Sequence, residues 1–281
     1  MNTVKGRISS LETMRTFFRV GTCSQTLFQV LDRADGQEME LEEHASDPLA
    51  GGMMCGHQCG MLWGAALAAG ARAYRACGKG PQAETRAVLD ARRVLETFRA
   101  RNKHINCRDI TGIDLASPQS GNILWYLVKS IPTGSCFGMA ARYAGAAFRA
   151  LEAPHPAEPA ETPSSGPVSC AALLAQKLGA SDQHTVMAAG LAGGIGLSGG
   201  ACGALGAAIW LAGMNPHDEA APPVGLKPAY VVDALDRFSR CTGGVFECSK
   251  IAGMQFKSVG DHAAYLRAGG CAKVISVLAG A

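Results

Sequence analysis

The chain has 281 residues, of which 48% are hydrophobic and 17% are charged, so it has ample apolar material for buried cores. Its 26 basic and 23 acidic residues are intermixed and the formal net charge is +3, which does not indicate a nucleic-acid partner. Residues 1–18 lack the apolar core of a secretory signal, and the uncharged stretch from His184 to His217 is interrupted by nine glycines. We therefore expect a globular, cytoplasmic protein that neither binds nucleic acid nor spans a membrane.

Apolar residues recur at helical spacing through most of the chain, and no run of alternating strands is visible. In the first half the spacing predicts helices over residues 14–31, 60–74, 84–101 and 136–151. A single helix over residues 14–31 would place Cys23 in its interior. The runs of small and apolar residues after Cys59 and Cys202 predict central helices that are apolar on all sides. The fold class that follows is all-α.

The second half of the chain repeats the first. The twelve residues from Cys59 (CGMLWGAALAAG) and the twelve from Cys202 (CGALGAAIWLAG) are identical at six positions, and residues 106–115 align with 247–256. Between the copies, residues 152–167 hold five prolines. We predict a tandem duplication: two cysteine-bearing helical-bundle domains, 1–151 and 168–281, joined by a proline-rich linker over 152–167 and packed about a pseudo-two-fold axis.

Eleven cysteines in a reducing compartment indicate metal, cluster or redox chemistry more than structural disulfides. Four of them recur in the same order in each half, and three of each four lie near a predicted helix start, where backbone N–H groups favour thiolates. Cys55, Cys77 and Cys241 have no counterpart in the other copy. The two recurrent sets are site one, formed by Cys23, Cys59, Cys107 and Cys136, and site two, formed by Cys170, Cys202, Cys248 and Cys271.

Both halves resemble the C-GCAxxG-C-C family of redox-active proteins, whose members carry four cysteines, the second inside a Cys-Gly-Ala type motif. The second half follows the family pattern in order, from Ser169-Cys170 through the glycine-rich residues 190–205 to Cys271. The first half resembles it over residues 15–151, but replaces the glycine-rich loop with MMCGHQCGM and inserts material around residues 114–131. The resemblance implies a helical module linked to electron transfer, similar to a domain of split-Soret cytochromes for which an iron–sulfur cluster is implied. No Cys-x-x-Cys-His motif is present, so haem attachment does not carry over.

On this basis we expect sites one and two each to bind an iron–sulfur cluster, [2Fe–2S] or [4Fe–4S], which makes two clusters per chain. The predicted function is electron transfer, as a carrier or as a subunit of a larger redox complex. The expected partner is a redox protein or oxidoreductase complex, and a homo-oligomer is compatible with the sequence. Cys55 and His57 are reserve ligands of site one. No acid–base constellation is recognisable, so no catalytic residue is predicted.

Three other interpretations remain open for the cysteines. Low-pKa thiols could form and break a disulfide without metal, although no Cys-x-x-Cys motif supports this. Structural zinc uses the same ligand type, but its sites usually contain at least one close ligand pair in sequence. Buried cysteines can also be small hydrophobic residues of a core. The glycine-rich residues 193–200 follow no strand, and they predict a tight loop at the approach to Cys202 rather than a dinucleotide site.

Overall fold

The computed structural model describes residues 8–113, 136–154, 166–215 and 227–280, and in these parts the chain forms helices and no strand. The all-α prediction is confirmed. None of the described helices is both long and apolar enough to cross a membrane. In chain order the helices are α1 (Ser10–Val20), α2 (Cys23–Ala34), α3 (Glu40–Ala45), α4 (Gly60–Cys77), α5 (Pro81–Arg99), α6 (Cys107–Thr111), α7 (Cys136–Glu152), α8 (Cys170–Lys177), α9 (Asp182–Ala189), α10 (Gly203–Ala212), α11 (Ala229–Thr242), α12 (Cys248–Ala252), α13 (Val259–Arg267) and α14 (Ala272–Leu278).

The single helix predicted over residues 14–31 is wrong, because the chain breaks between α1 and α2. Gly21 closes α1 in the left-handed conformation, with φ of 85°, and its N–H bonds to the carbonyl of Phe17. A glycine reaches this conformation without the steric penalty of a side chain, so it is a common helix terminator. Thr22 is extended and α2 begins at Cys23, which therefore lies at a helix start and not in an interior.

The two central helices meet at equivalent positions of the repeat. Trp63 of α4 and Trp210 of α10 are fully buried. The Trp63 ring lies directly on Gly206, where any Cβ would overlap it. Gly206 occupies the fifth position of the repeated block, as Trp63 does in the first copy. Contact between equivalent positions is what a two-fold relation between the copies produces.

Polar contacts also join the two halves, which share one hydrophobic core. Trp210 Nε1 donates to the carbonyl of Glu42 at 3.1 Å, and Gln58 Nε2 donates to the carbonyl of Gly194 at 3.1 Å. The division into domains 1–151 and 168–281 stays a prediction, and residues 155–165 of the predicted linker lie outside the described residues.

Candidate cysteine sites

All eight recurrent cysteines lie at helix starts, whereas the sequence predicted this for three of each four. Cys107 and Cys248, the two that were not predicted, begin α6 and α12. Each of these helices has five residues, too few to show a helical period in the sequence. Unpaired backbone N–H groups at a helix start favour a negatively charged sulfur. The cysteines that are first residues of helices are Cys23, Cys107, Cys136, Cys170 and Cys248, and those immediately before a helix are Cys59, Cys202 and Cys271.

Two backbone hydrogen bonds join the second and third cysteines of site one. The N–H of Cys59 donates to the carbonyl of Ile105 at 2.7 Å, and the N–H of Cys107 donates to the carbonyl of His57 at 2.6 Å. Each accepting carbonyl belongs to the residue two positions before the partner cysteine. This short bridge brings the start of α4 beside the start of α6.

Site two contains the same bridge at equivalent positions. The N–H of Cys202 donates to the carbonyl of Phe246 at 2.8 Å, and the N–H of Cys248 donates to the carbonyl of Gly200 at 2.6 Å. Again each acceptor lies two residues before the partner cysteine. The repeated pair of bonds supports the alignment of Cys59 with Cys202 and of Cys107 with Cys248.

A left-handed turn precedes the second cysteine in both copies, despite their different sequences. The backbone φ angles of this turn are positive, which is rare for residues that carry a side chain. It is costly for a β-branched residue such as Ile195, which is fully buried. In each copy the first glycine of the turn donates its N–H to the first cysteine, Gly51 to Cys23 and Gly193 to Cys170. The equivalent φ values are 62°, 65°, 59° and 54° for Gly51, Gly52, Met53 and Met54, and 61°, 79°, 63° and 55° for Gly193, Gly194, Ile195 and Gly196.

The thiols of site one interact with one another. A hydrogen bond from the Cys59 thiol is the main cause that lowers the pKa of Cys23, against the effect of burial, and N–H groups at the start of α2 add to it. The same pairing, together with burial, raises the pKa of Cys59 well above its ordinary range. Burial, with the nearby charges of Cys23 and Cys136, raises the pKa of Cys107 to about 12. In site one the Cys23 thiol therefore ionises most readily, and its negative charge disfavours ionisation of the neighbouring thiols.

Site two repeats this electrostatic pattern with different partners. A hydrogen bond from Cys271 is the main cause that lowers the pKa of Cys170 well below its ordinary value. The pKa of Cys271 is correspondingly raised by this pairing and by burial. Burial and the charge of Cys170 raise the pKa of Cys202 to about 12, and they also raise the pKa of Cys248. The first cysteine of each set is thus the favoured thiolate.

The sequence interpretation missed His262, which lies beside Cys170. Its side chain is 1% exposed, and Nδ1 is 2.9 Å from the carbonyl oxygen of Val168. Burial lowers the pKa of His262, but the Cys170 thiolate and the Val168 carbonyl outweigh burial and raise it overall. The sequence did contain a signal, because His262 lies three residues after Val259 and four before Leu266, on the apolar face of α13.

The reserve ligands of site one have other neighbours. The Cys55 sulfur lies 3.5 Å from the Lys227 amine, and burial raises the pKa of this thiol. The His57 ring stacks on Phe246 of the other copy, with centroids 4.1 Å apart. Their assignment as reserve ligands stays a prediction.

Cys241, which has no counterpart in the repeat, lies beside site two. Its charge interaction with Cys202 adds to the causes that raise the pKa of Cys202. It also lines a surface cleft of about 450 Å³ together with Cys271, Tyr265 and Lys273. Cys271, which is half-buried, thus lies where site two faces solvent.

The donor set of each site is all sulfur. Across the described residues, no three His, Cys, Asp or Glu side chains are spaced to hold a single metal ion as they stand. A cluster divides its thiolates among separate irons, and N–H groups directed at the sulfurs are typical of such centres. The all-sulfur donor sets and the N–H groups near them are therefore chemically compatible with an iron–sulfur cluster.

Comparison with protein families matches both halves of the chain to the same family, at residues 22–146 and 168–280. The family is described as "Putative redox-active protein (C_GCAxxG_C_C)". No curated protein and no solved structure matches the chain. Each matched region contains one complete set of four recurrent cysteines. The two matches together span most of the sequence, so the chain belongs to the C_GCAxxG_C_C family of redox-active proteins, with one family unit in each half.

Proposed function

We propose that sites one and two each bind one iron–sulfur cluster and that the protein transfers electrons through them. The observation that carries this proposal is that, in each half, one cysteine interacts electrostatically with the other three of its set. The four cysteines of a set come from four separate helix starts, and in both halves the same backbone bridge holds the second and third together. A set of small buried hydrophobic residues does not require this repeated backbone arrangement.

The electrostatics of the two sites support a cationic occupant. In each site one thiol has a lowered pKa, whereas hydrogen bonding to that thiol, burial and negative charge raise the pKa values of neighbouring thiols. Four thiolates can be present together only if positive charge compensates them, and bound metal provides it. When bound, a cluster supplies a centre that accepts and releases one electron.

The chain's own groups prepare the sites for that occupant. The N–H groups of Gly51 and Gly193 donate to the first cysteines, and such hydrogen bonds stabilise the charge on a sulfur ligand. Both sites belong to one body with a shared core, which suits a carrier or a subunit that passes electrons to a partner redox protein. We also propose a cytoplasmic location, since a reducing compartment keeps thiols available as ligands.

Thiol–disulfide chemistry is the second candidate, because each site contains two thiols that already hydrogen-bond to each other. The pairs are Cys23 with Cys59 and Cys170 with Cys271. Each contains one thiol with a lowered pKa, as a nucleophilic thiolate has. Formation of a disulfide would release two protons and two electrons, and a partner disulfide that becomes two thiols would take them up.

Anaerobic purification of the full chain distinguishes the two candidates. We expect a coloured protein with visible charge-transfer absorption and an EPR signal after reduction. Cys59→Ser and Cys202→Ser should each remove one centre, while Cys77→Ser, at an unduplicated position, should remove neither. A colourless protein that forms a Cys23–Cys59 disulfide on oxidation would contradict the cluster and support the thiol mechanism.

A further inference from the structure

His262 carries an orphaned nitrogen in the interior of site two. The residue is almost completely buried, and Nε2 has no hydrogen-bond partner of regular geometry. The His262 side chain is nevertheless within hydrogen-bonding range of the Cys170 side chain. A buried polar atom without a regular partner is rare and normally has a structural or chemical reason.

The backbone determines which nitrogen of His262 bears the proton. Nδ1 lies 2.9 Å from the Val168 carbonyl oxygen, which can only accept a hydrogen bond, so Nδ1 is the donor. In the neutral ring Nε2 then carries a lone pair, and it is the ring nitrogen that remains available towards Cys170. Histidines that bind metals commonly have this arrangement, in which the other ring N–H donates to a backbone carbonyl.

The Nε2 nitrogen of His262 and the sulfur of Cys170 are both electron-pair donors. When Cys170 is a thiolate, two electron-rich atoms face each other in a buried position, and only a proton or a cation between them makes the contact favourable. A thiolate and an imidazole nitrogen on one tetrahedral metal lie on the order of 3.5 Å apart, given metal bonds of about 2.3 Å and 2.0 Å. Two donors within hydrogen-bonding range of each other can therefore share one iron, as in a [2Fe–2S] cluster, or bind neighbouring irons of a [4Fe–4S] cluster.

Site one has no equivalent histidine in sequence. The segment between Cys107 and Cys136 contains none, whereas His262 lies between Cys248 and Cys271. Resting on the proposed function, we infer that His262 is a nitrogen ligand of the cluster in site two, bound next to Cys170, so that the two centres of the chain differ in ligand set. A neutral imidazole in place of a thiolate makes site two less negative, and its reduction potential should be the higher of the two.

A fifth donor releases one of the four thiols of site two, because a cluster has four protein ligands. The structure favours Cys271 as the released thiol. It is the half-buried cysteine of the set and lines the cleft of about 450 Å³, while Cys170, Cys202 and Cys248 are buried. Cys136 is its counterpart in site one and is likewise half-buried, which makes it a matched internal control.

Isotope labelling tests the assignment without any change to the fold. The full chain is reconstituted anaerobically with iron and sulfide, once with natural histidine and once with ¹⁵N-histidine, and both reduced samples are compared by pulsed EPR. We expect a strongly coupled nitrogen whose signal changes from that of ¹⁴N to that of ¹⁵N only in the sample with labelled histidine. When the reconstituted protein is treated with a thiol-alkylating reagent, Cys271 should be alkylated and Cys136 should be protected. His262→Gln should lose the coupling, and His184→Gln, which alters a half-buried histidine bonded to Glu42, should keep it.

The possible failures are separable. Iron and sulfide present in both sites without a strongly coupled histidine nitrogen, and with Cys271 protected, would overturn the inference and leave the proposed function intact. A chain that takes up no iron and sulfide would overturn the proposed function, and this inference with it. If His262→Gln weakens folding, His262→Cys restores a donor, and its cluster should lack the nitrogen coupling.

Discussion

Glu84 is a buried carboxylate of α5 that lies against the segment leading into site two. Its side chain accepts hydrogen bonds from the N–H groups of Val168 and Ser169, while Oε2 has no partner. Burial dominates these bonds and raises the pKa of Glu84 from 4.5 to about 7. We predict that Glu84→Gln stabilises the protein above neutral pH, because the amide remains an acceptor and removes the buried charge.

The size of this effect follows from the two pKa values. The unfolded chain releases the Glu84 proton near pH 4.5, but the folded chain retains it to about pH 7, so stability falls as the pH rises through this window. Above pH 7 the loss is constant, at about 3 kcal/mol. At pH 5 most of the proton is still bound in the folded state, and the loss is under about 1 kcal/mol.

Urea unfolding under reducing, anaerobic conditions measures this difference. The free energy of unfolding of Glu84→Gln should exceed that of the unsubstituted protein by about 3 kcal/mol at pH 8 and by under about 1 kcal/mol at pH 5. Glu96→Gln, at an exposed position of the same helix, controls for a general effect of charge removal. A gain of equal size at both pH values, or no gain at pH 8, would show that Glu84 is not a buried carboxylate with a raised pKa.

Three further predictions concern close packing and protons. A Cβ at Gly60 would lie 2.5 Å from the Cys23 sulfur, so Gly60→Ala should remove the iron of site one and destabilise the chain by about 1–3 kcal/mol. Gly206→Ala should destabilise by a similar ~1–3 kcal/mol in thermal unfolding, since its methyl group would overlap the Trp63 ring, whereas Gly145→Ala makes only ordinary contacts inside a helix and should not destabilise the chain. Cluster loading should release protons from both sites into weakly buffered solution, because thiols with raised pKa values must lose their protons to become ligands, and loading without proton release would contradict this.

The sequence predicts the repeat, the all-α class and the central helices because these leave patterns along the chain. The twelve residues from Cys59 recur from Cys202 with six positions identical, and this match is visible without any knowledge of the fold. Long helices such as α5 extend over enough residues for the apolar period to be visible. The two sets of four cysteines follow from the same alignment.

Other features depend on contacts that no local pattern describes. The break at Gly21 arises from one left-handed residue inside an otherwise helical period. The left-handed turn at Met53 and Met54 has no sequence signature, since its conformation is enforced by the surrounding packing. The approach of His262 to Cys170 joins residues 92 positions apart and depends on how α13 docks.

The iron and acid-labile sulfide bound per chain, measured on anaerobically purified protein, count the clusters of sites one and two. We expect two clusters in the unsubstituted chain and none in the double variant Cys59→Ser/Cys202→Ser, with the folded helical content retained. Protein free of iron and sulfide, with all eleven cysteines titrating as thiols, would contradict this expectation.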